Sequence, residues 1–142
     1  MSSQPRAATS LRSAGASHRP LMAWRLLSAL VLLVMGAIHL YLVFDGVGGT
    51  LGKLFVLNAI GALVLAIAVV ALRGRLLALA TVLSLLFMVG TLLSLILALT
   101  VGLFGIHEVL SFKLVPTTLV VESIGSIILA VTAALAVRSQ RV

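Results

Sequence analysis

Cysteine is absent from the 142-residue chain, which excludes disulfides, thiolate metal sites and cysteine nucleophiles. Charge is scarce as well. Asp, Glu, Lys and Arg make up 9% of the residues, and only three of these are acidic, against about 25% charged in an ordinary soluble domain. A water-facing globular enzyme and a disordered regulator are both excluded by that shortage. Alternation of polar and apolar residues is missing, which argues against a β-barrel. What the chain does have is apolar surface: 62% of residues are hydrophobic and the mean hydropathy is +1.32. No soluble domain of this length hides so much of it.

Four apolar stretches are each close to the roughly 20 residues needed to cross a bilayer. They run from about 21 to 44, 51 to 72, 76 to 104 and 117 to 137. Backbone groups in lipid must bond internally, so the fold class is all-α: a four-transmembrane-helix bundle with antiparallel neighbours. The third stretch is too long for one crossing, because Leu76 to Ile106 spans roughly 46 Å at about 1.5 Å per residue. Gly102 and Gly105 are the natural break points. We expect a helix to about Phe104, a short turn or interfacial segment carrying His107 and Glu108, and a fourth helix opened by Pro116. Residues 1–20, rich in Ser, Ala and Arg and without acid, read as a flexible basic tail, and 138–142 as a second short tail.

The formal charge of +7 and the isoelectric point near 11.8 do not indicate nucleic acid, because the charges sit in flanks and short loops. They give orientation instead. Arg6, Arg12, Arg19, Arg25, Arg73, Arg75, Arg138 and Arg141 all fall on one side, and only Lys53 and Lys113 on the other. By the positive-inside rule both termini are cytoplasmic, in a plasma membrane. Trp24 and Tyr41 sit at opposite ends of the first span, as interface anchors do. The arginines are placed to touch anionic lipid.

The remaining polar residues gather at the opposite end. Asp45, Glu108, Glu122, His39, His107, Asn58, Lys53 and Lys113 all lie in the outer half. His39 and Glu122 fall roughly 7–8 Å below the outer surface at about 1.5 Å per residue, and Asn58 at a similar level. Small residues recur every four positions after two of them: Ala62 and Ala66 follow Asn58, while Ser126, Ala130 and Ala134 follow Glu122. Such stripes let helices approach closely, so Asn58 and Glu122 should point into the bundle. The third helix offers Gly90, Ser94, Ala98 and Gly102, and Gly36 shares a face with His39.

Residues 58–66 (NAIGALVLA) align with 122–130 (ESIGSIILA), and Ile38-His39 with Ile106-His107. Read so, the chain is two tandem hairpins, each with a His before the turn and a polar residue entering the return helix. His39, Asn58, His107, Glu108 and Glu122 would then converge in an outer-leaflet pocket. Ionisable residues inside spans are costly and point to function. The pocket suits a quinone, a small solute, a haem held by two imidazoles, or a metal held by His and carboxylate. A proton-coupled transporter using Glu122 is a further reading, and mutual hydrogen bonding that merely fixes helix register is another.

Catalytic groups are not evident. Ser111 and His107 share a turn near Glu108 without a nucleophile elbow. The run Asp45-Gly46-Val47-Gly48-Gly49 fits neither phosphate loop nor dinucleotide fingerprint. With so few catalytic groups and so many small-residue stripes, the leading expectation is a non-enzymatic accessory or partner-binding subunit. It would join a larger membrane complex or a homo-oligomer.

The segments G-x-x-H-L-Y-L (Gly36, His39, Leu40, Tyr41, Leu42) and L-F-x-L-N-A (Leu54, Phe55, Leu57, Asn58, Ala59) carry a resemblance. The chain resembles small uncharacterised four-span membrane proteins of high-GC actinobacteria and is more loosely similar to the DoxX-like group. The resemblance covers residues 25–137 and implies a bacterial inner membrane and a four-helix bundle. It implies no activity, cofactor or site.

Overall fold

The computed structural model describes the backbone of residues 7–141 and the side chains of residues 20–141. Four helices follow in order: α1 (Ala7–Phe44), α2 (Gly49–Ala71), α3 (Gly74–Thr100) and α4 (Val115–Arg138). Pro20–Phe44, α2, α3 and α4 are each long and apolar enough to cross a membrane. Of the basic tail expected over residues 1–20, the first six residues lie outside the described residues, and helical backbone begins at Ala7.

The buried positions reveal how the helices pack. On α1 they include Arg25, Ser28, Leu32, Met35, His39 and Leu42; on α4, Val115, Thr118, Glu122, Gly125, Leu129, Thr132 and Ala136. Both series advance by alternating threes and fours, a mean period near 3.5. That is the spacing of helices that lie along one another at a shallow angle. α1 packs against α2 and α4, α3 packs against α4, and α2 touches α3 more sparsely. The four therefore form a ring of antiparallel neighbours, with Leu32, Met35, Ala62, Ala66, Met88 and Leu129 at its centre. In lipid the gain comes from close packing rather than from leaving water. Gly36 shows this: an added Cβ would lie 3.0 Å from Ala62 Cβ. Gly125 likewise accommodates the Met88 side chain.

The expected stripe on α4 requires correction. Ala130 and Ala134 are exposed, because steps of four residues advance by about 400° and so drift around the helix by about 40° each. Ala62 and Ala66 on α2 are buried, whereas Gly90 and Ser94 on α3 face outward and only Ala98 of that stripe is buried.

Polar groups tie the arginine-bearing end. α2 ends at Ala71, leaving its last carbonyls without helical partners. Arg25, on α1, supplies them: Nε donates to Val69 O at 2.9 Å, and Nη2 to Val70 O at 2.7 Å and Leu72 O at 2.8 Å. Arg25 is thus a buried cap and not part of the solvated flank. A turn deeper, Ser28 and Thr132 share a hydrogen bond of 2.7 Å between α1 and α4.

At the other end the two connections differ. Residues 45–48 turn tightly between α1 and α2. Between α3 and α4 the chain runs irregularly from 101 to 114. α3 stops at Thr100, short of the expected Phe104, and the break does use Gly102 and Gly105, at φ of 85° and 77°. Leu103 and Ile106 exchange two backbone hydrogen bonds of 2.9 and 2.8 Å around Phe104 and Gly105. Both turn residues have positive φ, the pattern of a type I′ turn. Lys113 fastens this connection to α1, donating to Asp45 Oδ1 at 3.0 Å and Oδ2 at 2.9 Å.

Candidate functional site

Beneath that connection lies a cavity of about 400 Å³, within the range of about 300–1,000 Å³ typical of small-molecule sites. Every element contributes to its wall: His39 from α1, Phe55 and Asn58 from α2, Phe87, Thr91 and Ser94 from α3, Glu108 and Phe112 from the connection, and Thr118 and Glu122 from α4. Leu54 and Leu57 on α2 and Ser94 on α3 line it and are also exposed on the outside of the bundle. Phe104 and Phe112 of the connection line it and are exposed as well, so the exposed part of its wall runs from the sparse α2–α3 seam to the connection.

Four of the five residues singled out from the sequence border this space: His39, Asn58, Glu108 and Glu122. The fifth does not. His107 lies in the connection, exposed, with its ring against Gly102. His39 is inside α1 and His107 is past the end of α3, so the two histidines are not equivalent and no bis-imidazole pair forms. Among the described residues no three His, Asp or Glu side chains come together as a metal would require. Asn58 and Glu122, the other aligned pair, do both reach the cavity.

His39 is 8% exposed, and its Nδ1 lies 2.9 Å from Met35 O. A carbonyl only accepts, so Nδ1 carries a proton, and Nε2 accepts whenever the ring is neutral. The ring stands edge-on to Phe55, with centroids 4.8 Å apart at 89°. Glu122 is 1% exposed, and its Oε2 has no hydrogen-bond partner; Asn58 Oδ1 is buried and unpartnered too. Burying an unsatisfied polar atom costs about 1–3 kcal/mol, and these two orphans border the same cavity. Glu108, in the connection, is held above the ordinary carboxyl range by burial, while its own N–H donates to Ala98 O at 3.0 Å. Lys113 is shifted upward by its bonds with Tyr41 and Asp45.

Sequence reasoning passed over Thr91, Thr118 and the phenylalanines of the wall. The signal was present in the alternating threes and fours, which put Thr118 one turn before Glu122 on the buried face, and Thr91 in line with Ser84 and Met88. No protein-family model, curated protein or solved structure matches the chain. The fold and the cavity define it as a four-span membrane bundle with a largely apolar recess, holding a few polar groups, at one end.

Proposed function

We propose that this bundle binds a small amphipathic molecule, admitted from the lipid between α2 and α3, with its polar head among His39, Asn58, Glu108 and Glu122. The observation that carries this reading is the pair of orphaned buried oxygens, Glu122 Oε2 and Asn58 Oδ1, on one cavity. Native folds rarely leave such atoms unsatisfied, and a ligand's polar head would satisfy both. On this reading the arginine-rich end faces the cytoplasm of a bacterial inner membrane and the recess lies in the outer leaflet, as the excess of basic residues at one end supports. A quinone, another small solute or a proton-coupled substrate exchanged at Glu122 are the ligands this reading admits. Haem held by His39 and His107 is not among them, since His107 lies outside the recess.

The test is extraction of the purified protein and mass spectrometry of what it carries. A small amphipathic species should accompany the unaltered chain and be lost from a folded Asn58→Leu/Glu122→Leu double variant, whose recess lacks both orphaned oxygens. Equal content in both would sink the reading. A second reading, an accessory subunit, draws support from α3, where Gly90 and Ser94 face outward and a Cβ at Gly90 would meet nothing within 4 Å. Co-purification with one larger complex, lost in Gly90→Leu, is its expected signature.

A further inference from the structure

Almost every side-chain donor on the cavity wall is already committed. Thr91 donates to Met88 O at 2.8 Å, although it also lies within hydrogen-bonding reach of Glu122, Ser94 donates to Gly90 O at 2.8 Å and Thr118 to Leu114 O at 2.8 Å. A hydroxyl that donates to its own helix in this way presents only lone pairs to a neighbour. His39 spends its Nδ1 proton on Met35 O, leaving a lone pair on Nε2. With Glu108 and Glu122 ionised, the Asn58 amide nitrogen is the side-chain donor left over. The unpartnered Oε2 of Glu122 and Oδ1 of Asn58 complete the set of acceptors.

Charge points the same way. Two carboxyl groups, Glu108 and Glu122, line the cavity, and no lysine or arginine does. The basic residue of the neighbouring connection, Lys113, is engaged by Asp45 at 2.9 Å. The rest of the wall is apolar, with Phe55, Phe87 and Phe112 among its lining. A buried carboxyl stays ionised only beside a compensating charge, and ring faces attract cations.

We propose that the ligand's polar head is a cationic hydrogen-bond donor, a protonated amine on a compact apolar body, and that Glu122 is its counter-ion. This rests on the reading of the cavity as a ligand site and adds the chemistry of the head. An acceptor-only head such as a quinone carbonyl meets lone pairs on nearly every side once the carboxyls are ionised. A quaternary ammonium supplies the charge without the N–H groups that the orphaned oxygens lack.

A matched series separates these cases. The full chain in phosphatidylcholine nanodiscs is dialysed to equilibrium against 1-naphthylmethylamine, its trimethylammonium analogue, 1-naphthylmethanol and 1,4-naphthoquinone, with empty nanodiscs as the baseline. Saturable binding of the amine is expected, at least tenfold tighter than the alcohol or the quinone and several-fold tighter than the quaternary analogue. Glu122→Gln, confirmed as folded by its thermal transition, should weaken the amine at least tenfold and leave the alcohol unchanged. The comparison among probes on the unaltered chain stands even if that variant does not fold. Alcohol or quinone binding as tightly as the amine would overturn the cationic-donor inference and leave the ligand site standing. Saturable binding of none of the four would overturn both.

Discussion

Arg25 is the residue whose role is most unlike its appearance in the chain. Counted by position, it belongs to a basic flank; in space it holds three carbonyls at the end of a neighbouring helix. Hydrogen bonds to charged groups contribute about 1.5–3 kcal/mol each in soluble proteins, and polar contacts in membranes average nearer 0.6 kcal/mol. Arg25→Met should therefore lower stability by about 2 kcal/mol in detergent unfolding, with Arg25→Lys recovering only part. An unchanged midpoint for Arg25→Met would remove the capping role. Glu108 supplies a pH signature. Its folded-state carboxyl lies above the ordinary range, so the fold favours the protonated acid. That contribution is complete below about pH 4.3, the unfolded value, and fades as pH rises through the raised folded value. A carboxyl carbon titration by NMR should place the Glu108 midpoint above about 4.3; a midpoint at or below it would contradict the burial described. Of these two residues, Glu108 was legible as polar and near the recess. The part played by Arg25 was hidden, because nothing in a linear sequence says which helix end a guanidinium will meet.

At the scale of elements, the four helices were legible because a bilayer imposes a length and a composition on anything that crosses it. Their ends were less so. α3 stops at Thr100 because the chain must turn back on itself at Gly102 and Gly105, both left-handed, a choice made by contacts that periodicity does not record. Stripes of small residues misled on α4, where a four-residue repeat cannot stay on one face, and served on α2, where Ala62 and Ala66 are only one step apart. The turn after α3 is itself under strain. Phe104 holds φ at 50° and is 84% exposed, in a position that Asn and Gly occupy at lower cost. Phe104→Asn should favour the turn by roughly 1 kcal/mol. It is read as slower hydrogen exchange at the Leu103 and Ile106 amides, which carry the turn's two bonds. Faster exchange in the variant would show that the phenyl ring, through its place at the cavity mouth, is what holds the turn.

For the whole molecule, the distribution of charge predicts an orientation. The absence of cysteine makes the prediction easy to check, since any single cysteine introduced is the only one. Ser139→Cys should be protected from an impermeant maleimide in intact cells, and Lys53→Cys should be labelled; the reverse pattern would invert the assignment. The ring itself has uneven sides. α1 is bound to α2 by a guanidinium and a glycine contact and to α4 by a hydroxyl pair, and α3 leans on α4 through Met88 and Gly125. The α2–α3 side is the most sparsely packed, although Phe87 lies against Gly61 there, and it borders the recess. We expect thermal breathing of such an assembly to be directional, hinging along the densely packed sides and loosening first along the sparse one. On the proposed reading, the rate at which a guest comes and goes depends on the surrounding acyl chains as much as on the protein, so a stiffer, more ordered bilayer should slow the traffic without altering the fit.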